Sequence, residues 1–382
     1  MDLLTHTAAG AFIGWAWPQR RAIPRAVPLA IAGALLPDAD NLIAPFLDPR
    51  SAFAHRAFTH SLLGVVILAS LAAFIASRFS RDRRFARPAV LIAVAMLSHL
   101  LLDVPTPMGV MLLYPSRTYV HWDFLGYFDW TLFTVSLFVL LAAWTYTRHD
   151  AAVRRGTLSA VLLSALSWWL FAEWPTLAFQ FAATVEETTE QPLATVYPLV
   201  LGGILVGLLV AFARNGWGFR QSRSVFGRIG VGALSIYLLV CVAAQAMALG
   251  VTQQFARERG VIVSRRAASR MGYASLLAPL RWTGLILAPE GVYAATITTL
   301  SASDPTFTLF PTSAESPVVA RTRSIAKVHR FLATARFPVT RYRFEKGQHI
   351  VEYQEYGLSW RPLLRVVLDE RQEVLTASWI AH

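Results

Sequence analysis

Long apolar runs alternate with short, arginine-rich polar turns over the first 256 residues, and the pattern then changes to short alternating stretches. A helix needs roughly 20 residues to cross a hydrocarbon core. Six runs approach or exceed that length: 62–79, 89–102, 130–147, 157–183, 193–213 and 229–256. The run 130–147 carries no charge, and only Glu173 interrupts 157–183. Two shorter runs, 3–17 and 26–36, predict a tight helical hairpin or a re-entrant pair.

Beyond Glu258 the period shortens. Residues 292–300 read Val-Tyr-Ala-Ala-Thr-Ile-Thr-Thr-Leu, a β-branched stretch, and 347–353, 363–368 and 373–380 also read as strands bounded by Gly, Pro and Asp. Residues 318–334 read as one basic helix. The expected fold class is mainly α: a polytopic helical membrane domain followed by a smaller soluble α+β domain. The expected divisions are 1–130, a membrane-embedded region that gathers the chemistry; 131–257, additional transmembrane helices; and 258–382, the soluble domain. No internal repeat, low-complexity tract or nucleotide-binding glycine loop is found. Asp2 and His6 stand where a cleavable signal would carry its basic residues.

Composition narrows the class. Charged residues make up 15% of the chain, against roughly 25% in soluble domains. Hydrophobic residues make up 55% and mean hydropathy is +0.46. These values exclude a soluble enzyme, a disordered tail and a secreted disulfide scaffold. The lone Cys241 can form neither an internal disulfide nor a cysteine metal cage. The net charge of +12 reads first as cytoplasmic loops facing anionic lipid, and not as a nucleic-acid surface. One set of loops holds Arg20, Arg21, Arg25, Arg78, Arg81, Arg83, Arg84, Arg87, Arg148, Arg154, Arg155, Arg214, Arg220, Arg223 and Arg228; the alternate loops hold Arg50, Arg56 and Arg117. Positive residues collect on the cytoplasmic side. This places the N-terminus outside and, with eight crossings, the C-terminal domain outside as well.

On this topology the ionisable residues of the first 130 positions gather at one depth. Every carboxylate there is an Asp, at 2, 38, 40, 48, 82, 103, 123 and 129, and five histidines join them, His6, His55, His60, His99 and His121. All except Asp82 fall at the outer ends of segments. Ionisable groups are costly inside a bilayer, so such gathering points to function. His99 and Asp103 are four apart, on one helix face. Asp2 and His6 repeat the spacing in reverse. Asp38 and Asp40 follow Pro37, and His55 and His60 bracket Arg56 and Thr59. Imidazoles and carboxylates from four segments form a ligand set for zinc, manganese or another divalent ion. Blander roles compete: Asp38 as a helix cap, His121 as a helix-end residue, His149, His329, His349 and His382 as surface residues, and Glu173 as an end residue that reaches for the interface.

Leu35-Leu36-Pro37-Asp38-Ala39-Asp40, His55-Arg56-Ala57-Phe58-Thr59-His60-Ser61, Ser98-His99-Leu100-Leu101-Leu102-Asp103-Val104-Pro105-Thr106-Pro107 and Leu113-Tyr114-Pro115 together resemble the YdjM family. Its members are described as inner-membrane-associated, LexA-binding, metal-dependent hydrolases. The resemblance covers roughly 1–130. It implies His6, Asp38, Asp40, His55, His60, His99 and Asp103 as metal ligands and a multi-pass location in a bacterial inner membrane. It also implies a LexA-like partner, which would need cytoplasmic contact. The motifs are distantly similar to the His/Asp pattern of zinc-dependent phospholipase C, which implies phosphoester chemistry. Ala57 departs from the usual His-Arg-Gly.

The expected function is a membrane-bound metal-dependent hydrolase, acting on a phosphoester of an amphiphilic or lipid substrate at the outer membrane surface. One or two divalent ions would serve it, zinc first, with Mn or Mg as alternatives. Asp38, Asp40, His60, His99 and Asp103 would hold the metal, with His6 and His55 completing a second ion or supporting the first. Arg56 would neutralise phosphate oxygens, and Thr59, Ser61 and Thr106 would orient ligands. The rivals are a non-enzymatic metal-binding membrane protein with a structural or stress-response role, and a transporter using the cluster as an ion path.

Overall fold

The computed structural model describes residues 2–18, 23, 25–42, 55–78, 85–116, 118–126, 129–146, 155–156, 158–159, 162, 203–204, 207–269, 280–299, 304–356 and 363–380. The chain forms two compact units, one built on Met1–Cys241 and the other on Val242–Gly272 and Pro279–His382.

The first unit is helical: α1 (Leu3–Ala16), α2 (Ala26–Leu35), α3 (Leu62–Arg78), α4 (Ala86–Asp103), α5 (Trp130–Thr145), α6 (Trp217–Arg220) and the start of α7 (Arg223–Glu258). Asp2 starts α1 by accepting from Thr5 N at 2.8 Å, and Asp129 starts α5 by accepting from Leu132 N at 3.0 Å. Such caps satisfy backbone donors that a helix end leaves open. Small residues bring the first helices together. A Cβ on Gly10 would meet Ala30 O at 2.8 Å, and one on Gly33 would meet Ile92 O at 3.0 Å. Helix pairs in membranes use this close approach because lipid is as apolar as the side chains. α3 and α4 interlock through Val65, Ala69, Ala73, Ile92, Met96 and Leu100.

Among the described residues two helices are long and apolar enough to cross a membrane, α4 and α7; Ala26–Leu35, Leu62–Arg78 and Thr131–Thr145 are apolar but shorter. The expected span 157–183, and 193–213 before 203, lie almost wholly outside the described residues. The expected run 229–256 lies wholly within α7. Gln245 donates to Ala268 O at 3.0 Å, and Phe255 stacks on Phe307 at 4.1 Å. From Val242 onward α7 belongs to the second unit.

That unit contains two four-stranded antiparallel sheets. The first has the order β1 (Arg265–Ser269), β2 (Arg281–Ala288), β3 (Gly291–Thr298), β4 (Thr308–Pro311); after α8 (Pro317–Thr322) and α9 (Ala326–Thr334) comes the second, β5 (Pro338–Glu345), β6 (Gln348–Glu355), β7 (Leu363–Leu368), β8 (Val374–Ile380). Ala267, Leu285, Val292, Ala294, Phe337 and Val339 form the core shared by the sheets. The four expected strands match β3, β6, β7 and β8 within a few residues. The expected single helix over 318–334 is two helices, because Ile325 is extended (φ −68, ψ 126) and Thr322 Oγ1 is drawn to Val319 O at 2.7 Å and to Tyr353 Oη.

Candidate metal centre

Four segments deliver the site. α2 stops before Pro37, which has no N–H to continue the helical ladder. The chain tightens into the 3-10 turn Pro37–Leu42, which carries Asp38 and Asp40. A second 3-10 turn, Phe58–His60, presents Thr59 and His60. Ser61 Oγ then accepts from Gly64 N at 2.9 Å and starts α3. The last turn of α4 supplies His99 and Asp103, and α1 supplies His6.

One donor atom from each of Asp38, His60, His99 and Asp103 lies within 4.8 Å of the others. His60 Nε2 is 3.2 Å from His99 Nε2, 3.4 Å from Asp38 Oδ1 and 3.5 Å from Asp103 Oδ2. His99 Nε2 is 3.6 Å from Asp38 Oδ1 and 3.5 Å from Asp103 Oδ2. Ligands held tetrahedrally at about 2.0–2.1 Å stand about 3.3 Å apart, so the spacing fits a zinc-sized ion.

Ring orientation makes the same point. His99 Nδ1 lies 2.7 Å from Ala34 O. A carbonyl only accepts, so Nδ1 carries the proton and the Nε2 lone pair faces the cluster. His60 Nδ1 is 3.0 Å from Thr59 Oγ1, whose own proton goes to Asp40 Oδ2 at 2.5 Å. His60 therefore also donates from Nδ1. Two imidazole nitrogens and two carboxylate oxygens thus converge on a point where a proton or a metal ion must balance them.

Asp40 anchors this arrangement and is itself buried. Its Oδ1 lies 2.8 Å from His55 Nδ1, and its Oδ2 accepts from Thr59 Oγ1 and, at 3.3 Å, from Arg56 N. A carboxylate behind a metal-facing histidine fixes the ring and raises its basicity. Asp40, His55 and His60 also form a second group with donor atoms in metal-binding reach. Because His60 Nδ1 donates toward Asp40, this second group reads as support for the first.

Arg56 is buried with left-handed backbone, φ 67. Its Nη1 donates to Thr106 Oγ1 at 2.8 Å and Gly109 O at 3.1 Å, and its Nη2 pairs with Asp103 Oδ2 at 3.3 Å. Gly109 makes this possible: φ is +60, and a Cβ there would lie 2.2 Å from Val120 O. Thr106 Oγ1 donates to Asp103 O at 2.7 Å. The guanidinium thus holds Asp103 through Oδ2, the same oxygen that faces His60 and His99.

His6 is fully buried and stacks on His99, ring centroids 3.7 Å apart. Its Nε2 is 3.5 Å from Asp103 Oδ1, and neither ring nitrogen has a hydrogen-bond partner among the described residues. His121 joins neither donor group. Asp2 and Asp129 are helix caps, Asp129 also accepting from Tyr237 Oη at 2.8 Å. Asp48, Asp82 and Glu173 lie outside the described residues. Ala34 O and Gly109 O were not legible as partners, since a backbone carbonyl carries no residue signature.

Burial alone would depress the His60 imidazolium, but hydrogen bonds to Asp103, Asp38 and Asp40 outweigh it and raise His60 to about 10. Burial likewise pushes the Asp40 carboxyl up, and the hydrogen bonds from His55, His60 and Thr59 hold it well below the usual range. Asp38 is lowered against its burial by the His60 hydrogen bond and the nearby His99. Asp38 and His55 are the accessible members, with side-chain exposures of 20% and 29%, and mark the open side.

The sequence profile of the YdjM inner membrane protein family matches residues 1–176. Inner membrane protein YbcI of Escherichia coli (strain K12) is 32% identical over 174 residues, covering 44% of this chain and 96% of that protein. The uncharacterized protein YvsG of Bacillus subtilis (strain 168) is 37% identical over 97 residues, covering 23% of this chain and 56% of that protein. No solved structure matches.

Proposed function

The chain belongs to the YdjM family of inner membrane proteins, and from that premise we propose that it is a polytopic, metal-dependent hydrolase acting on a phosphoester of an amphiphilic or lipid substrate. The observation that carries this reading is that His60 Nε2 and His99 Nε2 lie 3.2 Å apart and each 3.4–3.6 Å from Asp38 Oδ1 and Asp103 Oδ2. The mixed imidazole–carboxylate set favours zinc. A divalent ion held there supplies Lewis acidity for a phosphoryl or acyl oxygen and acidifies water.

The protein's own groups do the rest. Ala34 O and Asp40 hold the two imidazoles in the tautomer that points Nε2 inward. Arg56 and Thr106 fix Asp103. The Asp40–His55 pair, 2.8 Å apart, orients a partly exposed ring whose Nε2 can take a proton from water or return it to a leaving group. Exposed Leu42, Leu62, Leu63 and Leu113 stand beside these turns and suit a substrate with an apolar tail.

A structural metal site is the second reading. It draws on Arg56, whose Nη1 and Nη2 are engaged by Thr106, Gly109 and Asp103. Metal analysis of the detergent-purified chain, beside a panel of lipid phosphomonoesters and phosphodiesters, separates the two. Metal-dependent turnover supports the hydrolase, and stoichiometric metal without turnover supports the structural reading.

A further inference from the structure

The basic segment 318–334 has no part in the site. α8 and α9 bury Val318, Val319, Val328 and Phe331 against the second sheet and turn Arg321, Arg323, Lys327, His329 and Arg330 outward. Between Ser316 and Pro338 the sequence holds Arg321, Arg323, Lys327, Arg330 and Arg336 and no acidic residue. Beside α9, the edge strand β8 exposes Val374 (50%), Leu375 (51%) and Trp379 (41%). The two groups form one surface: Lys327 Nζ donates to Ala377 O at 2.7 Å, and the Trp379 ring lies 6.2 Å from Phe331.

An uncharged edge strand invites another strand. Here two devices blunt that use. The register slips between Val367 and Leu368, leaving Leu375 as an extra residue, and Lys327 covers the Ala377 carbonyl. Bulges and lysines are the usual protections of an edge. The exposed Trp and aliphatic groups therefore need another occupant, one that also takes cations.

We propose that this surface rests on the anionic headgroup layer of the bilayer that anchors the chain. Lys and Arg are drawn to anionic lipid, while Trp, Leu and Val enter the boundary between headgroups and tails. A nucleic acid would complement the charge but leave Val374 and Leu375 in water. The inference rests on the membrane location of the family and is independent of the hydrolase reading.

The test uses the full chain in lipid nanodiscs, with Cys241→Ala and an environment-sensitive fluorophore on Leu375→Cys. A matched control carries it on Leu309→Cys in β4. Spin-labelled lipid should quench the Leu375 position about twofold or more in discs containing phosphatidylglycerol and little in pure phosphatidylcholine. High salt, or Lys327→Glu/Arg330→Glu, should abolish the quenching, and the control should not respond. Absent quenching in both lipids overturns the proposal, as does quenching equal in both. A position shielded from iodide yet unreachable by the lipid quencher also overturns it, and identifies a second copy of the chain as the occupant.

Discussion

His60 and His99 turn their Nε2 atoms toward each other at 3.2 Å while each commits its Nδ1 proton elsewhere, His99 to Ala34 O and His60 toward Thr59 and Asp40. Two facing lone pairs flanked by the carboxylates of Asp38 and Asp103 demand a positive charge between them. In the metal-free protein the raised His60 supplies a proton. In a loaded protein a divalent ion takes its place.

Replacing His99 and Asp103 together by Ala should therefore remove tightly bound divalent metal, while His121→Ala keeps it. Both changed residues lie in the last turn of α4, so folding is followed in parallel by circular dichroism. Metal retained at full stoichiometry in the folded double variant would falsify the assignment.

Asp40→Asn tests the support behind the ligands. An amide cannot accept from His55, His60, Thr59 and Arg56 N as the carboxylate does. Loss of such a partner typically costs 10- to 100-fold in metal affinity. Competition with a chelator of known affinity should report a decrease of about that size, with helix content unchanged. An unaltered affinity means that His60 is oriented by something else.

The parts of the site that follow helical spacing were legible in the sequence. His99 and Asp103 share a face because they are four apart, and Asp38 and Asp40 stand where Pro37 ends a helix. The folding-back of Arg56 was not legible: a left-handed backbone at an Arg and a carbonyl partner at Gly109 depend on a loop more than fifty residues away. In the second unit, β3 and β7 showed their β-branched, bounded pattern. β5 did not, since it begins at Pro338 and carries Arg341, Arg343 and Glu345, whose charges are balanced within the sheet by contacts such as Arg343 Nη1 to Glu352 Oε2 at 2.7 Å.

Arg56→Lys separates bracing from substrate contact. A lysine cannot reproduce the fork that reaches Asp103, Thr106 and Gly109 together. Lysine keeps the charge but leaves the Thr106 or Gly109 acceptor unpaired, at a cost of about 1–3 kcal/mol. The expected outcome is a lower Tm and weaker metal binding, both measured in detergent. If turnover falls by about 10²-fold with Tm and metal intact, the guanidinium acts on the substrate as an electrostatic stabiliser.

The pH dependence follows from His60. Folding raises it from 6.5 to about 10, so the bound proton favours the folded state. This contribution is complete below pH 6.5 and is lost as pH rises toward 10. Chelator-treated protein should lose thermal stability across that window more steeply than its His60→Ala variant. Metal uptake should release a proton over the same range. Metal-loaded protein should keep its stability, because the ion replaces the proton. Identical pH profiles for the metal-free wild type and His60→Ala remove His60 from this role.

Topology can be tested along α4, which separates two labelling sites. α4 has 18 residues, about 27 Å at 1.5 Å per residue, close to the thickness of a hydrocarbon core. Arg78, Arg81, Arg83, Arg84 and Arg87 cluster at its start, and the site lies at its end. α7 runs antiparallel to α1, since a Cβ on Gly227 would meet Ala16 N and one on Gly230 would meet the Phe12 ring. Tyr237 of α7 then bonds Asp129 at the start of α5. If α1 enters from outside, as the arginine bias predicts, this pairing would take α7 back toward the outside. Single cysteines at 50 and 115, in a chain lacking Cys241, should react with a membrane-impermeant maleimide in intact cells, and cysteines at 83 and 221 only after permeabilisation. Equal labelling of 83 and 115 from one side means that α4 does not cross, and the metal centre then belongs to a helical bundle seated on the membrane surface.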